Sequence, residues 1–276
     1  MCIVDSVAER MKPLEVKSIS KGKEKIYKQS ANVFLHCMKK LDYLKEILRK
    51  KAIIPRYNIE DISFLNIDQE KSIAFPMICF CDIFFGRLQS HMSNYGKYGI
   101  GLDKDFGIQS GFEPINYINM DSKLSQNLRK TMEYLYNNYD GSTDDLYVEQ
   151  LMSNLLYVKP IYGKMKMGNN VYKNMLFADE REWRYIPDMS GTNLHLLLPA
   201  DELTMDNLRL YSDGLKCNEK QWLKLDINAI KYIILKEESN VHGMIKFIKK
   251  LDNWDEEEKD TLISKIVIFN ELARDI

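Results

Sequence analysis

Apolar positions along this chain come in short runs that switch between a period of two and a period of three to four, and the switches mark out the elements. Residues 32–37 (Asn-Val-Phe-Leu-His-Cys) read as a strand, and Leu41, Leu44, Ile47 and Leu48 then fall on one face of a helix capped by Asp42. Pro55 closes that helical region after Ile53 and Ile54, leaving Arg56 and Tyr57 extended or turning. Met77, Ile78, Cys79 and Phe80 make a buried strand with the Asp82 carboxylate at its tip, and residues 98–102 and 115–118 make two more. Over residues 122–139 the period becomes helical, with Leu124, Leu128, Met132, Leu135 and Tyr139 in step and Gly141 as a left-handed stop. A second helix starts at Asp144, carries Leu146, Leu151 and Leu155, and ends before Pro160; the two predict a hairpin over one side of a sheet.

Strand patterning returns from Val158 to Gly163 and again near residues 180–185. There Glu180, Glu182 and Arg184 alternate with Arg181, Trp183 and Tyr185, so the carboxylates share one strand face and the aromatic rings the other. Residues 194–198, 225–227 and 230–235 predict further strands. A helix over 241–251 enters at Ser239 or Asn240, and a last helix over 255–272 opens with an acidic first turn that suits the helix dipole. Residues 1–30, rich in Lys and Ser and without a period, predict an arm. With no repeat, low-complexity tract or linker, residues 1–276 predict a single α+β domain, its mostly antiparallel β core bent or split and flanked by helices.

Composition narrows the function classes. A 45% hydrophobic chain of 276 residues fills a sizeable core, and 39 Lys plus Arg against 40 Asp plus Glu give a net charge of -1, no global reason to expect nucleic acid or anionic membrane. No run of 18 apolar residues and no charged-then-apolar leader is present, which points to the cytoplasm. The five cysteines lack metal-type spacing and read as reduced buried thiols. Cys79 and Cys81 share a strand face, but two thiols alone make a poor site, and no metal is expected.

Candidate chemistry concentrates in residues 76–119, where His91 and Tyr95 lie beside Gly96, Gly99 and Gly101, glycines that permit positive φ or the close approach of a backbone or ligand. Glu182 is either half of a structural ion pair with Arg184 or Arg56, or a site carboxylate. His36 is either a hydrogen-bonded core histidine or a site residue. Dinucleotide, P-loop, zinc-protease and serine-hydrolase motifs lack their minimal parts.

Phe34 to His36, Leu44 to Leu48, Pro55 to Tyr57, Pro76 to Ile83, His91 to Gly101 and Glu180 to Arg184 together resemble, in order, the motifs of the bacterial abortive phage infection family AbiGi. That resemblance implies phage defence, with a cognate toxin or antitoxin as partner. An early strand His, a helix after it, a Tyr-rich middle and a late strand Glu more loosely resemble DarT-like ADP-ribosyltransferases, although a clean Arg and a Ser-Thr-Ser pair are missing. What this second resemblance implies is an ADP-ribosyltransferase-like fold that uses NAD and modifies a protein or nucleic-acid target. His36 then holds a ribose, Tyr95 or Tyr98 stacks on nicotinamide, Arg56 meets the pyrophosphate, His91 helps bind the cofactor, and Glu182 is the catalytic carboxylate that stabilises an oxocarbenium-like state. The competing expectation is a non-catalytic antitoxin or regulator that binds a protein or nucleotide ligand.

Overall fold

A computed structural model of the chain describes residues 30–66, 71–138, 146–167 and 171–272. Residues 1–29 of the expected arm, Tyr139, Gly141 and Asp144 lie outside them. The main sheet grows from an apolar hairpin-like pairing: Val33–Met38 (β1) lies antiparallel to Tyr98–Asp103 (β5) through six register pairs, from Val33↔Asp103 to Met38↔Tyr98. On the other side of β1 stands Ser72–Cys81 (β4), yet these two meet at a single register pair, Leu35↔Cys81. Beyond that point β4 takes other partners. Arg56–Asp61 (β3) pairs with its first half and Glu182–Tyr185 (β11) with its last four residues. Glu113–Pro114 (β6) edges β11, while Ile230–Leu235 (β13) and Ile266–Ile268 (β14) extend the sheet past β5. Among the described residues only β14 pairs in parallel within this sheet, so the protein is α+β with a mostly antiparallel core, split where β1 leaves β4.

Period-two alternation sends successive side chains to opposite layers. Phe34, Ile78, Phe80, Ile100, Leu102 and Ile233 face one layer, closed by Leu44 and Leu48 of helix α1 (Leu41–Lys50) and by Met244 and Ile248 of a later helix, Val241–Ile248. Val33, Leu35, Cys81 and Ile234 face the other, closed by Leu88 and Met92 of helix α2 (Leu88–Tyr95). Each such side chain fully buried stabilises the fold by about 1.5–3 kcal/mol. Helix Lys123–Asn138 packs Met132, and helix Leu146–Leu155 packs Leu155, into one cluster with Phe75 and Met77, covering one side of the sheet as the periodicity predicts.

Several expectations need correction. Asp42 does not cap α1; Lys40 stands at the cap without a side-chain bond, and Asp42 lies in the first turn, 3.8 Å from Lys45. That helix ends earlier than Pro55, at Lys50, because Lys51 turns left-handed and Ala52–Ile53 (β2) leaves as a strand toward Leu223–Lys224 (β12). Residues 194–198 contribute one bridge, Ala74↔Leu198, rather than a strand, and residues 225–227 lie just past β12. The predicted helix over 255–272 breaks in three. Asp255 and Glu258 form a capping box that starts Glu256–Ser264, but the β-branched run Ile266-Val267-Ile268 is claimed by the edge of β13, and Phe269–Leu272 is a separate turn of helix. Helix Met205–Lys216, started by the Thr204 side chain, was not predicted, since its apolar residues are few: Leu208 and Leu215 are buried but Leu210 is exposed.

Candidate functional site

Where β1 and β4 part, they leave a cavity of about 1070 Å³. Its walls come from β1, β3, β4, α2, the start of Tyr162–Met167 (β9) and the short helical turn Phe177–Glu180. His36, Arg56, His91, Tyr95 and Glu182 all line it. Tyr98, expected as a nicotinamide stacker, does not. On β5 the residues Tyr98, Ile100 and Leu102 share a face, and that face packs into the main core.

His36 is held by Nδ1–H donating to the Cys79 carbonyl at 2.8 Å, a bond across the gap that β1 and β4 leave unzipped. Burial pushes its pKa down, so the ring stays neutral and Nε2 is its acceptor. The carboxylate end of the cavity is an ion network. Glu182 receives Lys159 Nζ at 2.6 Å on one oxygen and Arg184 Nε at 2.7 Å on the other, so both of its oxygens are engaged. Arg184 also lies 2.9 Å from Glu60 and donates to the Leu156 carbonyl at 2.6 Å. Burial by itself would raise the Glu182 pKa, but the Lys159 and Arg184 charges outweigh it and hold the group at about 2.

Glu180 differs although it lies only two residues away. It is not on the strand with Glu182, because Arg181 adopts a left-handed conformation (φ 43°) that swings the chain between the helical turn and β11. Tyr95 donates its hydroxyl to Glu180, and Lys159 stands 4.0 Å off. Burial raises the Glu180 pKa despite Lys159 and that hydrogen bond. Two cations face three carboxyl groups here, and Glu180 is the one whose charge they compensate least, with Lys159 4.0 Å away against 2.6 Å for Glu182. Trp183 turns the opposite way from Glu182, with its ring 4.8 Å from that of Phe34.

The other end of the cavity is basic. Arg56 lies 5.4 Å and Lys40 5.8 Å from the centroid of the Tyr43 ring, and Lys39, next to Lys40 in the chain, also lines the cavity. These three exposed cations make no ion pair among the described residues. Lys39, Lys40 and Tyr43 were invisible from sequence because they flank the start of a helix as ordinary surface residues do. Lys159 was missed because its partners are distant in the chain. Asp82, expected at a strand tip, sits there, and the Lys104 ammonium 2.7 Å away neutralises it outside the cavity.

The glycines of the central stretch serve close packing. A Cβ on Gly101 would stand 2.9 Å from the Tyr232 ring, so that glycine admits a side chain of β13 and not a ligand.

A family model described as "Putative abortive phage resistance protein AbiGi, antitoxin" matches residues 51–236. The abortive phage resistance protein AbiGi of Lactococcus lactis subsp. cremoris is 31% identical over 247 residues, covering 81% of this chain and 99% of that protein. No solved structure matches the chain.

Proposed function

This chain belongs to the AbiGi family of abortive phage resistance proteins, and from that premise we propose that it defends against phage by binding NAD in the central cavity and transferring ADP-ribose. The observation that carries this reading is the division of one dinucleotide-sized cavity into an unpaired basic end and a buried carboxyl end, with a neutral histidine between the elements that bear them. Arg56, Lys39 and Lys40 supply charge for a pyrophosphate, and the Tyr43 ring beside them offers a stacking face. Neutral His36 accepts a ribose hydroxyl through Nε2. As the bond from the ribose carbon to nicotinamide breaks, nicotinamide leaves as a neutral base and positive charge grows on the ribose, where a nearby carboxylate stabilises it until an acceptor nucleophile attacks the same carbon. Glu180 suits that role better than Glu182, whose two oxygens are already taken. Tyr95 then orients Glu180. The split core and its order of elements are compatible with an ADP-ribosyltransferase-like fold.

The matched family description contains the word antitoxin, and this favours a second reading in which the chain binds a cognate toxin and catalyses nothing. Incubation with isotopically labelled NAD and a cell extract separates the two. Transfer of label to protein or nucleic acid is expected, and Arg56→Ala should weaken NAD binding by about 10-fold or more, the loss of one charge-assisted contact, with the melting temperature unchanged. If NAD neither binds saturably nor yields labelled product, the enzymatic reading falls and the antitoxin reading stands.

A further inference from the structure

Cys37 on β1 and His91 on α2 line the same cavity and meet Cys81, at the end of β4, just behind its wall, with the three ligand atoms all within 4.8 Å of one another. Among the described residues no other His, Cys, Asp or Glu joins the group. We propose that Cys37, Cys81 and His91 bind one zinc-like divalent metal ion, with the fourth coordination position open to the cavity.

Geometry supports this before any chemistry is invoked. Tetrahedral zinc with bonds of about 2.3 Å to sulfur and about 2.0–2.1 Å to nitrogen needs ligand atoms roughly 3.5–3.8 Å apart, so side-chain adjustments of about 1 Å close the site. The three backbones are fixed. Leu35↔Cys81 locks β1 to β4 at this point, and Leu88 and Met92, both fully buried, seat α2 so that His91 is presented between them. The donor set of two sulfurs and one imidazole is soft enough to favour zinc over magnesium or calcium, and three protein ligands with an open fourth place is how catalytic rather than structural zinc is held. Cys37 and His91 line the cavity while Cys81 is buried behind them, so the open position faces the volume that holds the ligand. The Tyr95 ring lies 4.5 Å from that of His91, and the same Tyr95 holds Glu180. A metal here is therefore mechanically linked to the carboxyl end of the cavity. This inference does not depend on NAD as the ligand.

Cobalt is the probe. The full chain, freed of metal by chelation under reducing conditions, is titrated with Co²⁺ and followed by absorption. One equivalent per chain is expected, with a thiolate-to-cobalt charge-transfer band, visible bands of tetrahedral intensity, and displacement of the cobalt by Zn²⁺. Cys81→Ser risks the fold because that side chain is buried, so His91→Gln and Cys37→Ser carry the test. Each should weaken Zn²⁺ binding by more than about 100-fold, beyond what loss of an outer-shell partner does, while the metal-free variants melt as the metal-free parent does. A cobalt spectrum without thiolate character overturns the proposal. So does zinc affinity that His91→Gln leaves within about threefold of the parent, well short of the effect of losing even an outer-shell partner.

Discussion

Glu182 and Glu180 are the same side chain in two electrostatic states. Glu182 is held by Lys159 and Arg184, both largely removed from water, so Glu182→Gln leaves two buried cations undercompensated and should destabilise the protein by about 3–5 kcal/mol. Glu180→Gln keeps an acceptor for Tyr95 and removes a charge that burial already disfavours, so the fold should survive while phage protection is lost. Thermal unfolding and plaque counts on the two variants decide this, and a Glu182→Gln protein that melts like the parent would remove the network from the stability argument. Acid gives a second view. The depressed Glu182 pKa contributes stability that is complete above its ordinary value of 4.5 and drains away as pH falls toward about 2, whereas the raised Glu180 pKa acts in reverse, its penalty relieved on protonation. The slope of melting temperature between pH 4.5 and 2 should therefore flatten in Glu182→Gln. From sequence the Arg184 partner was legible, because i and i+2 share a strand face. Lys159 was not, since only the folded sheet brings it across.

At the level of elements, the joint between β1 and α2 decides whether the cavity keeps its shape. Gly96 ends α2 with φ of 123°, and a Cβ there would stand 2.2 Å from the Met38 carbonyl carbon and oxygen. Gly111 also has positive φ, at 82°, but nothing lies within 4 Å of its would-be Cβ. Gly111→Ala should thus cost about 1–2 kcal/mol, the left-handed penalty alone. Gly96→Ala adds a backbone clash and should cost more, with faster amide exchange along α2. Equal midpoints in urea for the two variants would refute that reading. Strands announced themselves where alternation ran uninterrupted, as in 32–37 and 98–102. The same alternation already placed Tyr98 with Ile100 and Leu102, a clue that the expected stacking role overlooked. Elements whose type depended on a neighbour were misread: 266–268 looked helical until β13 offered an edge, and 194–198 looked like a strand but found one bridge.

Across the whole molecule, the antiparallel α+β character was legible from the strand and helix periods, and five of six expected site residues do line one cavity. The split that makes the cavity was expected only in general terms, because a register that stops after Leu35↔Cys81 is a fact about two strands far apart in the chain. The thiol pair was hidden for the same reason. Cys81 was weighed with Cys79 on its own strand, while its neighbours in space are Cys37 and His91.

One feature of the sheet also bears on how the chain is made. β5 pairs with β1 on one edge and waits for β13 on the other, so during synthesis the Tyr98–Asp103 edge stays open while the stretch between residues 103 and 230, nearly half of the chain, is translated. Until residues 230–235 leave the ribosome, that edge can recruit a strand from another nascent chain, and Phe34, Ile100 and Leu102 lack Ile230, Ile233, Met244 and Ile248 to cover them. A ribosome-arrested chain ending at residue 229 should be cut rapidly by protease within 33–103, and one long enough to expose residue 268 should resist. If both arrest lengths were cut at the same rate, β5 would have to be protected from its edge by something other than its late partner, and a host whose translation is disrupted by phage would leave this defender no more vulnerable than its finished form.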